Sequence, residues 1–163
     1  MKSSSTQGVG ARLARKEDDR YLRGQGEFVG DIHRPGMLEV AFARSPVAHA
    51  RIVRIEKPAG AEDRVFTMDD LRGVQPIRAI SGLPGFKPSD LWPLAKDKVR
   101  HVGEPVAMCV AATRAEAEDL AAQVFVDYEE LPAVVDMVQA RTAPSALVHE
   151  HWGDNVFLET LYD

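Results

Sequence analysis

The residues of this 163-residue chain whose types suit chemistry are few and scattered. Its one cysteine, Cys109, lies in the apolar run VAMCVAA, residues 106–112. The thiolate is the reactive form, and an apolar strand raises the thiol pKa, so Cys109 is expected as inert core. A lone thiol forms no internal disulfide, and an iron–sulfur cluster takes about four thiolates. His149 and His151 form H-x-H beside Glu150 and Asp154. On a strand both imidazoles face one side and can share a metal, but a tetrahedral site needs further ligands. The other three histidines, His33, His49 and His101, lie in separate segments, so a polar surface stretch is expected. Asp127, Glu129 and Glu130 pair carboxylates that suit acid–base work or a hard cation, yet they lack calcium-loop spacing and read as a strand end facing solvent. Gly24, Gly26 and Gly30 approach a dinucleotide fingerprint. A pyrophosphate site needs a strand before such glycines and a helix N-terminus after them, and neither flank supplies one. No G-x-S-x-G, H-E-x-x-H or phosphate-loop motif is present. The residues alone therefore assign no catalytic, cofactor-binding or metal-binding position.

The elements that carry these residues are easier to read. Residues 16–22 suit a short helix ending at Gly24. Residues 27–29 form a short apolar run. Residues 37–44 alternate, with Leu38, Val40 and Phe42 on one face, and residues 50–56 form a second β-rich run. The Ser45-Pro46 break between them predicts adjacent pairing. Residues 63–71 read as a strand into a short helix capped by Thr67, with Asp70 in the acidic first turn. Residues 76–93 hold four of the ten prolines and read as a long irregular loop. Residues 106–111 are continuously apolar, as in a strand buried on both faces. Thr113 and Glu116 make a capping box, and Ala117, Leu120, Ala121 and Val124 form one helical stripe. Residues 124–128 read as the next strand. Strand, helix and strand are expected on one core. Residues 137–141 suit a helical turn, and the remainder has no sustained period.

Composition narrows the partners. Lys and Arg number 20 against 25 Asp and Glu, giving a net charge of -5. Nucleic acid is not expected, because phosphate binding wants a basic surface. No stretch approaches the ~20 apolar residues of a membrane helix, so no membrane partner is expected. The N-terminus MKSSSTQGVG lacks an apolar h-region and a twin-arginine pair, so a cytoplasmic location is expected.

Four motifs in order carry a resemblance: Gly36-Met37-Leu38, RSPVAHA at 44–50, VGEP at 102–105, and YEELPAVVD at 128–136. With their flanks, covering residues 12–155, they resemble the N-terminal α/β-hammerhead domain of the molybdenum-binding large subunits of the xanthine dehydrogenase, aldehyde oxidase and carbon monoxide dehydrogenase family. The resemblance implies an α+β fold, a mixed sheet with two main helices packed on it. It implies a polar arm over residues 1–25, the hammerhead domain over 26–136, and a connecting or docking tail over 137–163. In this family the catalytic glutamate and the molybdopterin contacts lie outside the hammerhead domain, so none transfers to this chain. Molybdopterin, [2Fe-2S] clusters and FAD are implied for the full complex only. The implied partners are the remainder of the molybdenum large subunit, an iron–sulfur subunit and an FAD subunit. Turnover of aldehydes, purines, N-heterocycles or carbon monoxide belongs to that complex. The rival expectation is a free-standing interaction module without enzyme activity.

Two stretches are candidate interfaces. Trp152, Phe157, Leu161 and Tyr162 crowd the last twelve residues together with Val156 and Leu158. Phe86 and Trp92 sit on the long loop, where aromatic residues often anchor binding.

Overall fold

The computed structural model describes residues 8, 11, 15–142, 144 and 146–161. They fall into two units, Met1–Met37 and Leu38–Asp163.

In the first unit, α1 spans Asp18–Leu22, with Asp18 and Asp19 in its acidic first turn. Gly24, at φ +68°, takes the left-handed conformation just past the helix end. The Tyr21 and Phe28 rings stack at 5.9 Å, and Gly26 lies so close to Tyr21 that a Cβ there would sit 2.9 Å from the ring. The run at 27–29 is not a strand; Val29–Asp31 forms a 3-10 turn, with Asp31 accepting a bond from the Phe28 amide. The glycines thus follow a helix instead of preceding one, and they offer a pyrophosphate no helix N-terminus.

The second unit is built on two three-stranded antiparallel sheets. In the first, β7 (Pro105–Ala111) lies between β1 (Glu39–Arg44) and β3 (Val65–Phe66). In the second, β2 (Ala50–Glu56) lies between β6 (Lys98–Val99) and β8 (Phe125–Glu130). A two-residue ladder of β4 (Ile77–Arg78) and β5 (Asp90–Leu91) pins the base of the long loop. The adjacent pairing expected of β1 and β2 does not occur; each joins a different sheet. The Ser45-Pro46 corner carries the chain from one sheet to the other, and Ser45 Oγ, bonded to the Val47 carbonyl at 2.8 Å, fixes that corner.

Helix α2 (Arg114–Gln123) forms where the capping box predicts. The Glu116 amide donates to Thr113 Oγ1 at 3.2 Å, and the Thr113 amide donates back to Glu116 at 3.1 Å. Its stripe buries Ala117 and Leu120 against Val65, Ala107, Cys109 and Ala111, with Ala41, Ala43, Ala121 and Val124 at the margin. A second cluster holds Ala50, Ala95, Val99 and Val106, flanked by Ile52, Val126 and Tyr128. The expected single core for strand, helix and strand is therefore two cores. β7 and α2 serve the first, while β8 crosses to the second. Val106 and Ala107 point to opposite faces of β7, so one strand feeds both cores.

The alternation of β1 holds, but its large residues face outward. Ala41 and Ala43 pack on the first core, whereas Leu38, Val40 and Phe42 are 58%, 44% and 38% exposed. Helix α3 (Met137–Thr142) follows an Asp136 whose carboxylate accepts the amides of Val138 and Gln139. No helix among the described residues is long and apolar enough to cross a membrane.

Candidate functional site

Three of the four segments that carry the sequence resemblance, RSPVAHA, VGEP and YEELPAVVD, meet at one corner of the second unit. Arg44 Nη1 donates to the Gly103 carbonyl at 2.8 Å, and the Ser45 amide donates to the Glu104 carbonyl at 2.9 Å. The Gly103 amide donates back to the Ser45 carbonyl at 2.8 Å. Gly103 has φ +86°, a conformation that other residues reach at a cost. On the other side, the Leu131 amide donates to the His49 carbonyl at 2.9 Å, and His49 Nδ1 lies 2.8 Å from the Pro132 carbonyl. A carbonyl only accepts, so Nδ1 carries the hydrogen and the ring is held in one tautomer. His49 Nε2 is buried and has no partner among the described residues. Tyr128 lies beside Ser45, and burial pushes its phenol pKa up. The bonds are mostly to backbone, so the corner joins the two sheets and carries no nucleophile–base pair.

The chain after α3 folds back onto the long loop. Lys98 is 2% exposed on β6, and its Nζ meets Glu150 Oε1 at 2.6 Å. The hydrogen bond from Lys98 holds the Glu150 carboxyl at about 2, well below the usual 4.5. Lys87 Nζ bonds both Asp154 oxygens at 2.6 Å and the Trp152 carbonyl at 3.2 Å. The Lys87 amide donates to the Phe157 carbonyl at 2.8 Å. Trp152 Nε1 donates to the Pro88 carbonyl at 3.0 Å, while Phe86 and Phe157 meet edge to face at 6.3 Å. Asn155 accepts from the Val148 amide and donates to the Ala146 carbonyl, each at 2.9 Å.

Three of the sequence-nominated interface residues, Phe86, Trp152 and Phe157, are thus brought together within this unit, with Phe157 still 55% exposed. Trp92 is separate. It lines an open cleft of about 510 Å³ with Arg100, His149 and His151, and Lys96 Nζ lies 5.8 Å from its ring centre. Leu161 is 92% exposed, and Tyr162 lies outside the described residues. Nothing in the sequence marked Lys87, Lys98 or Asn155. They are ordinary polar residues by type, and only their partners distant in sequence give them a role.

The remaining candidates are placed as follows. Cys109 is fully buried under α2, and burial pushes its thiol pKa up. His149 stacks on Trp152 at 4.3 Å, and its pKa is lowered, first by burial and then by Arg100, His151 and Lys98. His149 and His151 stand 5.9 Å apart edge to face. Among the described residues no three histidine, cysteine or carboxylate side chains are placed to hold a metal ion. Glu129 faces Arg51 at 4.0 Å across the β2–β8 ladder, on the exposed surface. With one buried thiol the chain does not fit an iron–sulfur cluster.

The family model of the aldehyde oxidase and xanthine dehydrogenase a/b hammerhead domain matches residues 23–132. The chain belongs to this hammerhead family. The chain is 40% identical over 133 residues to the nicotine 6-hydroxylase large subunit of Paenarthrobacter nicotinovorans, covering 78% of this chain and 16% of that one. It is 34% identical over 147 residues to the carbon monoxide dehydrogenase large chain of Hydrogenophaga pseudoflava, covering 88% and 18%. Among solved structures, quinoline 2-oxidoreductase from Pseudomonas putida 86 superimposes with a TM-score of 0.83 at 37% identity, covering 92% of this chain and 20% of that one. The hammerhead chain therefore spans between a sixth and a fifth of the length of these relatives. The α+β architecture expected from the sequence is the hammerhead fold of this family.

Proposed function

We propose that this chain is a non-catalytic assembly domain of a molybdenum hydroxylase, working as part of, or bound to, a large subunit that carries molybdopterin. The observation that supports this most is the match of residues 23–132 to the hammerhead domain, shared with relatives about five times the length of this chain. The joined sheets and bonded corner suit a scaffold whose task is to hold shape against a larger neighbour. The full complex would use molybdopterin, [2Fe-2S] clusters and FAD, contributed by polypeptide outside these residues. It would oxidise an aldehyde, a purine, an N-heterocycle or carbon monoxide. Its partners would be the remaining large-subunit polypeptide, an iron–sulfur subunit and an FAD subunit.

The test is gentle affinity purification through this chain from its own cells, with molybdenum and iron measured on the eluate. Co-purification of a molybdopterin-containing polypeptide with both metals is the expected result. A chain recovered alone and free of molybdenum overturns the assignment and leaves the interaction-module reading.

A further inference from the structure

Antiparallel register places directly opposed residues on the same face of a sheet. In the first sheet Val40 opposes Val110, Phe42 opposes Met108, and Phe66 opposes Met108 from the other side. With Leu38 at the strand start, these six residues make one apolar face. The opposite face, with Ala41, Ala43, Cys109 and Ala111, is the one that α2 covers. The second core reaches the outer face only at its Val106 end. Beyond Val106, Met108, Val110 and Phe66 are half-buried, and Leu38, Val40 and Phe42 are exposed. Arg44 closes one end, with its guanidinium 5.4 Å from the centre of the Phe42 ring.

We infer that this face of the β1–β7–β3 sheet is the seat on which the remaining large-subunit polypeptide docks. The inference rests on the assignment proposed above and names the surface that assignment needs. Two arguments choose the occupant. The first is size. Only Leu38, Val40 and Phe42 on this face are exposed, whereas a stable pair of separate chains buries about 800 Å² on each partner, from roughly 20–30 residues a side. A second copy of this chain would have too little to hold it. The large-subunit remainder needs less from this face alone, because its contacts elsewhere on the chain raise its effective concentration here. The second is length. The matched segment is 16–20% of the relatives' chains, so about four-fifths of each relative's polypeptide lies outside it and is available to cover the face. The chemistry of the face agrees. Its six side chains are aliphatic, aromatic or thioether, which marks a permanent interior contact over a wet, transient one. The occupant is thus an apolar surface of the same subunit, with no charge set against Val40 or Phe42.

The experiment compares Val40→Cys in two settings, the 163-residue chain alone and the molybdenum-containing complex purified through it. Maleimide labelling is followed by mass; the native Cys109 is buried and supplies the background. Rapid labelling of the isolated chain and labelling about tenfold slower in the complex is expected. A complex that forms, contains molybdenum and labels at the isolated rate overturns this surface while the proposed function stands. Protection in the isolated chain, with a dimer mass by light scattering, overturns it in favour of a second copy. No complex at all overturns both readings. A second variant, Val40→Lys, should leave the unfolding midpoint of the isolated chain unchanged and lower the yield of complex about tenfold. Wild-type yield with that variant also overturns the docking surface.

Discussion

Lys98 shows how one residue ties a distant segment to the domain. Its ammonium is removed from water on β6, and its carboxylate partner Glu150, whose side chain is 56% exposed, comes from 52 residues downstream. Removing one partner of a buried ion pair strands the other, whereas replacing a buried charge by an apolar group of similar shape is often neutral. Glu150→Gln should therefore cost about 1–2 kcal/mol in urea unfolding at pH 7, below the ~3–5 kcal/mol of a fully buried pair because half the pair is wet. Lys98→Met should stay within about 1 kcal/mol of wild type, since Glu150 is then released to solvent. A larger loss for Lys98→Met than for Glu150→Gln would contradict this account.

The same pair sets a pH response. The Glu150 carboxyl titrates at about 2 in the folded chain, against 4.5 ordinarily. A depressed folded pKa adds stability that is complete above the unfolded value and is lost as pH falls through the folded one. The window is therefore between about pH 4.5 and pH 2. Asp70 beside Lys57 and Asp154 beside Lys87 are lowered too, and they act with the same sign. The urea midpoint should drop between about pH 5 and pH 2.5, and should drop less in Glu150→Gln. An equal drop in both would assign the acid sensitivity elsewhere.

Cys109 makes the opposite point, that a reactive residue type need not react. It has no exposed surface, and burial raises its pKa. A thiol reagent should modify it only as fast as the chain unfolds, with full reaction in urea. Fast stoichiometric reaction in buffer would remove it from the core.

Among the elements, β1 carries the sharpest contrast. Ala41 and Ala43 face α2 while Val40 and Phe42 face outward. In the isolated chain, Ala41→Lys should cost about 1–3 kcal/mol, because the longer side chain overpacks the margin of the core beneath α2. Val40→Lys, one residue away, should stay within about 0.5 kcal/mol. Equal costs in a urea titration would mean that the strand is not oriented as described. Helix α2 decides this orientation. Its Ala117 is fully buried against the sheet, and most of the strand residues it covers are small: Ala41, Ala43, Ala107 and Ala111 beside Val65 and Cys109.

For the whole second unit, the segment from Leu147 to Phe157 acts as a strap across the long loop. Lys87 bonds it three ways, through its amide to Phe157 and through its ammonium to Asp154 and Trp152. Lys87→Met should leave the two sheets folded, and should expose residues 146–161 to protease at about a tenfold higher rate. Mass spectrometry of the first cleavage products would locate the cut, and a first cut inside either sheet would refute the strap.

Much of this domain was legible in its local sequence. The Thr113–Glu116 box, the Ala117–Leu120–Ala121–Val124 stripe and the apolar run of β7 each depend on neighbours within a few residues. Steric and hydrogen-bonding preferences at that range act before any tertiary contact forms. The segments of the bonded corner were legible too, as the motifs RSPVAHA, VGEP and YEELPAVVD. That they meet was not, because 58 residues separate Ser45 from Gly103 and the bonds between them run through backbone atoms with no side-chain signature. Of the aromatic candidates, sequence identified Phe86, Trp152 and Phe157 as residues needing a partner, and the fold supplied each with one inside the unit. It left Leu161, and more than half of Phe157, exposed.

By itself, then, the sequence determined where α2 and the long strands β1, β2, β7 and β8 lie, that β1 has two alternating faces, and to which family the chain is similar. Tertiary structure alone decided which of those two faces is covered, which strands pair, and where the buried Lys98 finds its carboxylate. Alternation has a period of two and so defines two faces without ranking them. The ranking comes from what packs opposite. Here helix α2 covers the alanine face of β1, and Leu38, Val40 and Phe42 are left facing outward.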